Sequence, residues 1–267
     1  MKGIPFPDGV IPLEIFVGSV GKERAVDTVD GRPGVVDYGF NYTDRPVSLF
    51  LRIKAADAAD FRLLRNEVFA TFDVGSAFYV AESDTPSRVL KVVVDESYIP
   101  DRLTEEYADF DINCRTLDSV FWESKYTTLE LHDSGFAHSA EKYGLVDNID
   151  DEKVQYRFTE SNFTVYNAGN VTVEPESMYL RIIASEVTSS TNFTIRNKTT
   201  GDEFVLKRES NGSHVRLIGM IPSMGSLTNI FRDTNRRFIR LAPGDNEFEV
   251  LNGTFTEINF DFKKYYK

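Results

Sequence analysis

The sequence has almost none of the side chains on which disulfide frameworks and metal centres depend. It holds one cysteine, Cys114, and three histidines in 267 residues. A single cysteine cannot form an internal disulfide, and so few cysteines and histidines exclude the usual zinc clusters. Because Cys114 alternates with Phe110 and Ile112, we expect a buried apolar residue and not a nucleophile.

Long hydrophobic runs are absent as well. The first residues contain no apolar run long enough for a signal peptide, and no segment approaches the roughly 18 apolar residues of a membrane span. We therefore expect synthesis in a cytoplasm and no association with a membrane.

Catalytic and cofactor-binding motifs are missing. Gly18–Lys22 resembles part of a phosphate-binding loop, but Glu23 stands where a magnesium-binding serine or threonine is required. The histidines lie in no triad context. The acidic cluster within residues 147–152 lacks the spacing of a calcium loop, which favours a solvated linker. We predict no catalytic residues, no metal, no cofactor and no enzymatic activity.

Basic side chains are outnumbered by acidic ones. The net charge is −12, and residues 1–132 carry 14 basic against 23 acidic side chains, a net charge of −9. This balance argues against specific binding to nucleic acid, whose phosphates need lysine and arginine partners. Its simplest effect is to keep the free chain soluble.

Aromatic residues, in contrast, are abundant, with 21 Phe and 12 Tyr, which favours strands over helices. Residues 45–55 place Val47, Leu49, Leu51 and Ile53 on one face, and residues 108–116 show the same alternation. We predict further strands at about 77–81 and 88–95.

One helix is predicted in the first half, over about residues 57–72. Phe61, Leu64, Val68 and Phe72 form one apolar stripe at helical spacing, and Asp57 is a plausible N-cap.

The second half is a succession of short predicted strands. They cover about 154–167, 178–184, 191–197, 203–208, 213–219, 236–241, 246–251 and 255–263. Asn211-Gly212 and Asn252-Gly253 are hairpin-type turn signals. The last strand is expected to face Ile258, Phe260 and Phe262 inward and Asp261 outward.

These patterns predict an all-β chain with two antiparallel β-sandwich domains, the first with one packed α-helix and the second jelly-roll-like. The first domain spans 1–135, a linker spans 136–152, and the second domain spans 153–267.

A glycine-punctuated segment, Gly31–Phe40, stands out in the first half. Gly31 and Gly34 bracket a turn that Pro33 rigidifies, and Gly39 inside a strand-like run indicates a bulge or a close backbone approach. The segment is either a subunit contact or an ordinary turn within the chain.

Four pieces of the first half occur in the order seen in siphophage distal tail proteins: Gly31–Arg45, Asp60–Phe69, Phe78-Tyr79 and Arg88–Val92. This resemblance covers most of residues 10–124. The second half resembles the galectin-like sandwich often attached to such proteins, in Tyr166–Asn170, Leu241–Asn246 and Phe260–Phe262.

The resemblance implies a structural hub at the distal end of a phage tail, within the virion. A homo-hexameric ring would join the tail tube protein to the tail-tip protein and to receptor-binding or baseplate proteins, and leave a channel for DNA. An acidic channel would repel phosphate and let DNA pass. Candidate subunit-contact or structural-turn residues are Gly31, Arg32, Gly34, Asp37, Gly39 and Arg45.

The alternative function is adhesion to host cell-surface carbohydrate through the second domain. Sugar rings stack on exposed aromatic side chains, and the candidates are Tyr143, Tyr156, Tyr166 and Tyr179. We expect Trp122 to pack inside the protein and not to bind a ligand. The His-x-Asn-x-Arg and Trp-x-x-Glu pattern of sugar-binding galectins is absent from residues 133–267, so a shared fold would not transfer the ligand.

Overall fold

The computed structural model describes residues 6–73, 75–134 and 150–267, and the chain folds into two compact units. The first unit comprises the described residues of Met1–Glu82 and Leu90–Val120, and the second those of Ser83–Val89 and Phe121–Lys267. The predicted linker falls largely on 135–149, outside the described residues, so its position stays a prediction.

The first unit is built from antiparallel strands and one long helix. Its strands are β1 (Val10–Val17), β2 (Lys22–Thr28), β3 (Val35–Tyr42), β4 (Pro46–Lys54), β5 (Phe78–Val80), β6 (Arg88–Val94, from Leu90 onward), β7 (Asp101–Arg102) and β8 (Tyr107–Thr116). Within this unit the order is β1-β4-β8-β6, with β5 on β6 and β7 on β8, while β2 and β3 form a separate two-stranded sheet.

The core of the first unit lies on one face of β4 and β8. Leu49 pairs with Ile112 and Leu51 with Phe110 in the antiparallel register. All four of these side chains are buried. Cys114 is also buried, and this burial raises the pKa of its thiol to about 12. The predicted alternation is therefore confirmed.

Helix α1 (Ala58–Phe72) covers this core with the predicted apolar stripe. Its buried side chains are Phe61, Leu64, Val68 and Phe72. The Asp57 carboxylate accepts 2.8 Å hydrogen bonds from the backbone N–H groups of Ala59 and Asp60, which confirms the N-cap. These hydrogen bonds lower the pKa of Asp57.

No helix in the described part of the chain is long and apolar enough to cross a membrane.

The second unit is a two-sheet sandwich. Its strands are β9 (Trp122–Ser124), β10 (Arg157–Phe158), β11 (Asn162–Asn167), β12 (Leu180–Ser189), β13 (Phe193–Asn197), β14 (Asp202–Leu206), β15 (Ser210–Ile218), β16 (Ile221–Met224), β17 (Thr228–Asn229), β18 (Gly244–Leu251), β19 (Glu257–Phe262) and β20 (Tyr265–Tyr266), and Asp151–Lys153 and Phe231–Asp233 are short 3-10 helices.

One sheet of the sandwich has the order β10-β19-β12-β15-β16-β17 and the other β11-β18-β13-β14. Phenylalanine rings fill the space between the two sheets. The ring centroids of Phe248 in the second sheet and Phe260 in the first lie 4.8 Å apart, and those of the stacked rings of Phe163 and Phe158 lie 4.3 Å apart. The predicted all-β, sandwich-type fold is confirmed.

Two local predictions in the second unit are wrong. Residues 236–241 form no strand, because the Asn235 side chain takes up backbone groups of β14: its Oδ1 accepts from Val205 N at 3.2 Å and its Nδ2 donates to Glu203 O at 2.9 Å. Asn211-Gly212 is no hairpin turn, since both residues lie within β15, where Gly212 has φ +64° beside a register shift.

Two further predictions, one of a strand and one of a turn, need refinement. Residues 154–167 form two strands, β10 and β11, with a break over residues 159–161. Asn252 (φ +60°) does sit in a turn, but this turn leads from β18 in one sheet to β19 in the other and so closes no hairpin.

A second α-helical segment, residues 128–134, was not predicted. It begins with a capping box: Glu130 accepts a 2.8 Å hydrogen bond from Thr127 N, and Thr127 Oγ1 accepts from Glu130 N at 3.5 Å.

Asp261, which the sequence pattern placed on the outer face of the last strand, is buried. The backbone N–H of Leu129 and the Tyr179 hydroxyl donate hydrogen bonds to its carboxylate.

Candidate functional site

The most unusual feature of the first unit is a two-stranded ribbon that runs on from its sheet. The chain segments that follow β1 and precede β4 stay paired beyond those strands. Their backbone hydrogen bonds run from Gly18 N to Pro46 O (2.9 Å) and from Gly21 N to Asp44 O (3.0 Å). The chain then forms the hairpin of β2 and β3. We call residues 22–42 the arm and residues 29–34 its tip.

Two glycines at the root of the arm permit this close pairing. A Cβ on Gly18 would lie 2.6 Å from Pro46 Cγ, and one on Gly21 would overlap Thr43 Oγ1. The glycines that resemble a phosphate-binding loop therefore have a packing reason.

Arg45 stabilises the root of the arm through three hydrogen bonds. Its Nε donates to Gly18 O at 2.7 Å, its Nη1 to Val120 O at 3.4 Å, and its backbone N to Thr116 Oγ1 at 3.2 Å. Burial lowers the pKa of Arg45, an effect that the charge of Glu82 partly offsets. These contacts support the structural alternative for Arg45, since little of its guanidinium is left exposed.

The remaining candidates of the glycine-punctuated segment lie in the arm. Gly34 at the tip has φ +91°, and Gly39 has φ +102° at a register shift opposite Arg24 and Val26. The predicted bulge is thus present. Asp37 accepts a 2.9 Å hydrogen bond from Gly39 N and forms an ion pair with Arg24 across the hairpin.

In the described part of the chain, the space beside these glycines is open. A Cβ built on Gly31, Gly34 or Gly39 would meet nothing within 4 Å. The glycines therefore serve the backbone conformation of the arm, which carries Arg32 at its exposed tip.

The arm exposes several large apolar side chains. Every residue of β2 is exposed, as is every residue of β3 except Val36. The exposed apolar residues are Val26, Val29, Val35, Tyr38, Phe40 and Tyr42, led by Tyr38 at 67% and Val35 at 61%. Large exposed apolar patches mark interaction sites.

Strand β1 extends this apolar character beyond the arm. It is an edge strand, and Ile11, Leu13 and Phe16 are exposed, Phe16 at 50%. Unpaired edges of this kind accept strands from other chains. The sequence pattern identified the turn glycines but not this edge.

The structure excludes one of the four predicted sugar-stacking tyrosines, Tyr156, whereas Tyr166 and Tyr179 stay predictions. Tyr143 lies outside the described residues. Tyr156 is only 1% exposed and donates its hydroxyl to Tyr166 O at 3.1 Å, so its ring has no free face. Lys153 Nζ lies 4.9 Å from the ring of Tyr166, and the hydroxyl of Tyr179 donates to Asp261. Trp122, at 8% exposure, packs as expected.

The described residues contain no group of three or more His, Cys, Asp or Glu side chains able to hold a metal ion.

Comparison with known proteins finds a family model that matches part of the chain and solved structures with a similar fold. Residues 11–114 match the model of the phage tail protein RIFT-related domain, and no curated protein matches the chain. Among solved structures, the Dit (gp 19.1) protein of phage SPP1, described as a paradigm of hub adsorption apparatus in phages that infect Gram-positive bacteria, has a TM-score of 0.67 at 13% identity over 96% of this chain and 94% of that one.

A component of the phage p2 baseplate in its activated conformation with Sr gives a TM-score of 0.43 at 9% identity, over 96% of this chain and 90% of that one. Residues 11–114 are thus similar to the phage tail protein RIFT-related domain, and the whole chain has the fold of the SPP1 Dit protein. The resemblance to siphophage distal tail proteins predicted from the sequence is confirmed.

Proposed function

We propose that this tail protein is the structural hub of the tail tip. Six copies form a ring that joins the tail tube protein to the tail-tip protein and to the receptor-binding or baseplate proteins. The role is mechanical and involves no catalysis. The fold likeness to a hub protein of another phage supports this proposal.

The observation that carries the proposal is the exposed arm. An isolated two-stranded hairpin is at best marginally stable in water, and this one has no buried face of its own. Covering Tyr38, Phe40 and Val35 stabilises it, and we propose that the covering surface belongs to the next copy in the ring.

A ring follows naturally from an arm of this kind. An arm that contacts a different surface on the neighbouring copy makes a head-to-tail interface, and such interfaces close into rings when the rotation between copies permits. The positions Gly31, Arg32, Gly34, Asp37 and Gly39 would then lie at the contact, whereas Arg45 supports the arm from its root.

The test compares matched pairs of polar substitutions in the full chain. Tyr38→Ser with Phe40→Ser removes apolar surface from the arm. Leu63→Ser with Ile99→Ser removes comparable surface elsewhere in the first unit, at positions 62% and 80% exposed. Each large side chain is worth about 1.5–3 kcal/mol when buried, so assembly of the arm variant should weaken by tenfold or more.

Light scattering after size exclusion, at several concentrations, reports the assembly state. We expect the control to assemble as the parent does and the arm variant to dissociate at higher concentration. Equal assembly of both variants would contradict a contact through the arm. Circular dichroism verifies that both remain folded.

The ring would also leave a channel through which DNA passes. Residues 1–132, with a net charge of −9, make strong retention of phosphate unfavourable. We expect assembled rings to retain no duplex DNA at low salt in a gel-shift assay. Tight, salt-sensitive binding would contradict this part of the proposal.

A further inference from the structure

The second unit contains a cleft of about 430 Å³ whose lining combines guanidinium groups, carboxylates and one aromatic ring. The lining residues are Glu174, Glu176, Asp202, Arg236, Arg237, Phe238 and Arg240. They come from three parts of the chain, namely the turn after Val173, strand β14 and the loop 230–241.

The cleft is held together by backbone and side-chain hydrogen bonds. Val173 and Leu241 exchange backbone hydrogen bonds of 2.9 and 3.1 Å, which places the turn carrying Glu174 beside Arg240. Asn235 fixes the loop to β14, and Asn197 Nδ2 donates to Arg240 O at 2.8 Å. Hydrogen bonds therefore join the three segments that carry the side chains of the cleft.

The loop adopts a costly backbone conformation at Arg236. This residue has φ +59°, although it is neither Gly nor Asn, and its N–H donates to Thr234 Oγ1 at 3.1 Å. Residues other than glycine are uncommon in this region of backbone conformation. This conformation sets Arg236 beside Phe231, which stacks on Phe238 with an interplanar angle of 19°.

The charges of the cleft are balanced but only partly paired. Arg240 donates two 3.0 Å hydrogen bonds to Asp202. Within the described residues, Arg236 and Arg237 form no ion pair, and neither do the exposed Glu174 and Glu176. The guanidinium groups of Arg236 and Arg237 can therefore donate hydrogen bonds to a ligand. The carboxylates of Glu174 and Glu176 can accept them.

We infer that this cleft binds a saccharide. Carboxylates accept hydrogen bonds from sugar hydroxyls, guanidinium groups donate to hydroxyl and ring oxygens, and Phe238 offers an apolar surface to the C–H face of the ring. A polyanion would be repelled by Glu174 and Glu176, and an apolar ligand would leave the charged groups without partners. The volume falls within the usual range for small-ligand sites.

This inference is independent of the hub proposal and uses none of the tyrosines predicted from the sequence. The experiment screens the full chain on an array of neutral and anionic oligosaccharides, with inorganic polyphosphate as a polyanion that has no sugar ring. Isothermal titration with the best oligosaccharide then compares Arg237→Ala and Glu176→Gln with Arg232→Ala, a matched control in the same loop outside the cleft.

We expect binding of an oligosaccharide that Arg237→Ala and Glu176→Gln each weaken about tenfold or more, as for loss of a charge-assisted hydrogen bond, while Arg232→Ala has no effect. Equal losses in Arg232→Ala and Arg237→Ala, or tighter binding of polyphosphate, would overturn the inference in favour of general charge attraction. Absence of binding to any oligosaccharide would overturn it as well. Thermal unfolding of the variants shows whether a loss of binding comes from misfolding. Their assembly state is measured separately, so a failure of the saccharide inference is distinguishable from a failure of the hub proposal.

Discussion

The Nε atom of Arg45 donates a 2.7 Å hydrogen bond to the carbonyl oxygen of Gly18, across the root of the arm. Gly18 follows β1 and Arg45 precedes β4, so this contact joins the two chain segments where they leave the sheet. The arm therefore starts from a fixed base, even though its own strands have no core.

Replacing Arg45 by Met keeps the apolar stem but removes the donors to Gly18 and Val120. Because these are charge-assisted bonds at a buried site, we expect a loss of about 2 kcal/mol in the free energy of unfolding, measured by urea denaturation. Arg62→Met, at an exposed position of α1, is the control and should stay within about 0.5 kcal/mol of the parent. A similar small change for both variants would show that Arg45 does not secure the root.

Gly34→Val tests the tip of the arm. The left-handed conformation at φ +91° should cost a valine about 1–2 kcal/mol, although a Cβ there meets nothing within the chain. If the tip lies at a subunit contact, assembly measured by native mass spectrometry should weaken in addition. An intact ring in the valine variant would remove the contact interpretation and leave an ordinary turn.

The Asp202–Arg240 pair should make the stability of the second unit depend on pH. Burial favours the neutral acid, but the hydrogen bonds from Arg240 and Thr200 outweigh it and lower the pKa of Asp202 below its ordinary value of 3.8. A lowered pKa means that the stabilisation is fully present above about pH 4 and is lost as the pH falls through the folded-state value.

Asp202→Asn should therefore destabilise the chain by about 1 kcal/mol at pH 7, a modest value because Arg240 is 47% exposed and water screens the pair. The difference from the parent should shrink in thermal unfolding experiments at progressively lower pH below 4. A difference that grows on acidification would contradict the assigned direction.

The capping box at residues 127–130 predicts a specific pattern of substitutions. Thr127→Ala should cost about 1 kcal/mol in urea unfolding because it removes the acceptor for the N–H of Glu130, whereas Thr127→Ser should retain most of the stability. Equal stability of the alanine and serine variants would show that the cap contributes little.

Regular periodicity made much of the fold predictable. The strand alternation around Leu49 and Ile112 and the stripe of α1 follow from burial of one face, which local sequence records directly. The capping box Thr127-x-x-Glu130 was also visible in the sequence, but the helix after it shows no long apolar stripe.

Other features depend on contacts between distant residues. Asn235 displaces a strand at 236–241 through hydrogen bonds to β14, and the bridge between Val173 and Leu241 assembles a cleft from segments more than 60 positions apart. The arm has no buried face within one chain, so no pattern of burial in its sequence reveals what covers Tyr38 and Phe40.

The most direct test of the ring is the mass of the purified full chain by native mass spectrometry over a range of concentrations. The proposal predicts a discrete species of six 30.3 kDa chains that loses subunits when Tyr38 and Phe40 are replaced by Ser. A single 30.3 kDa species at every concentration, for the parent as for the variant, would contradict it.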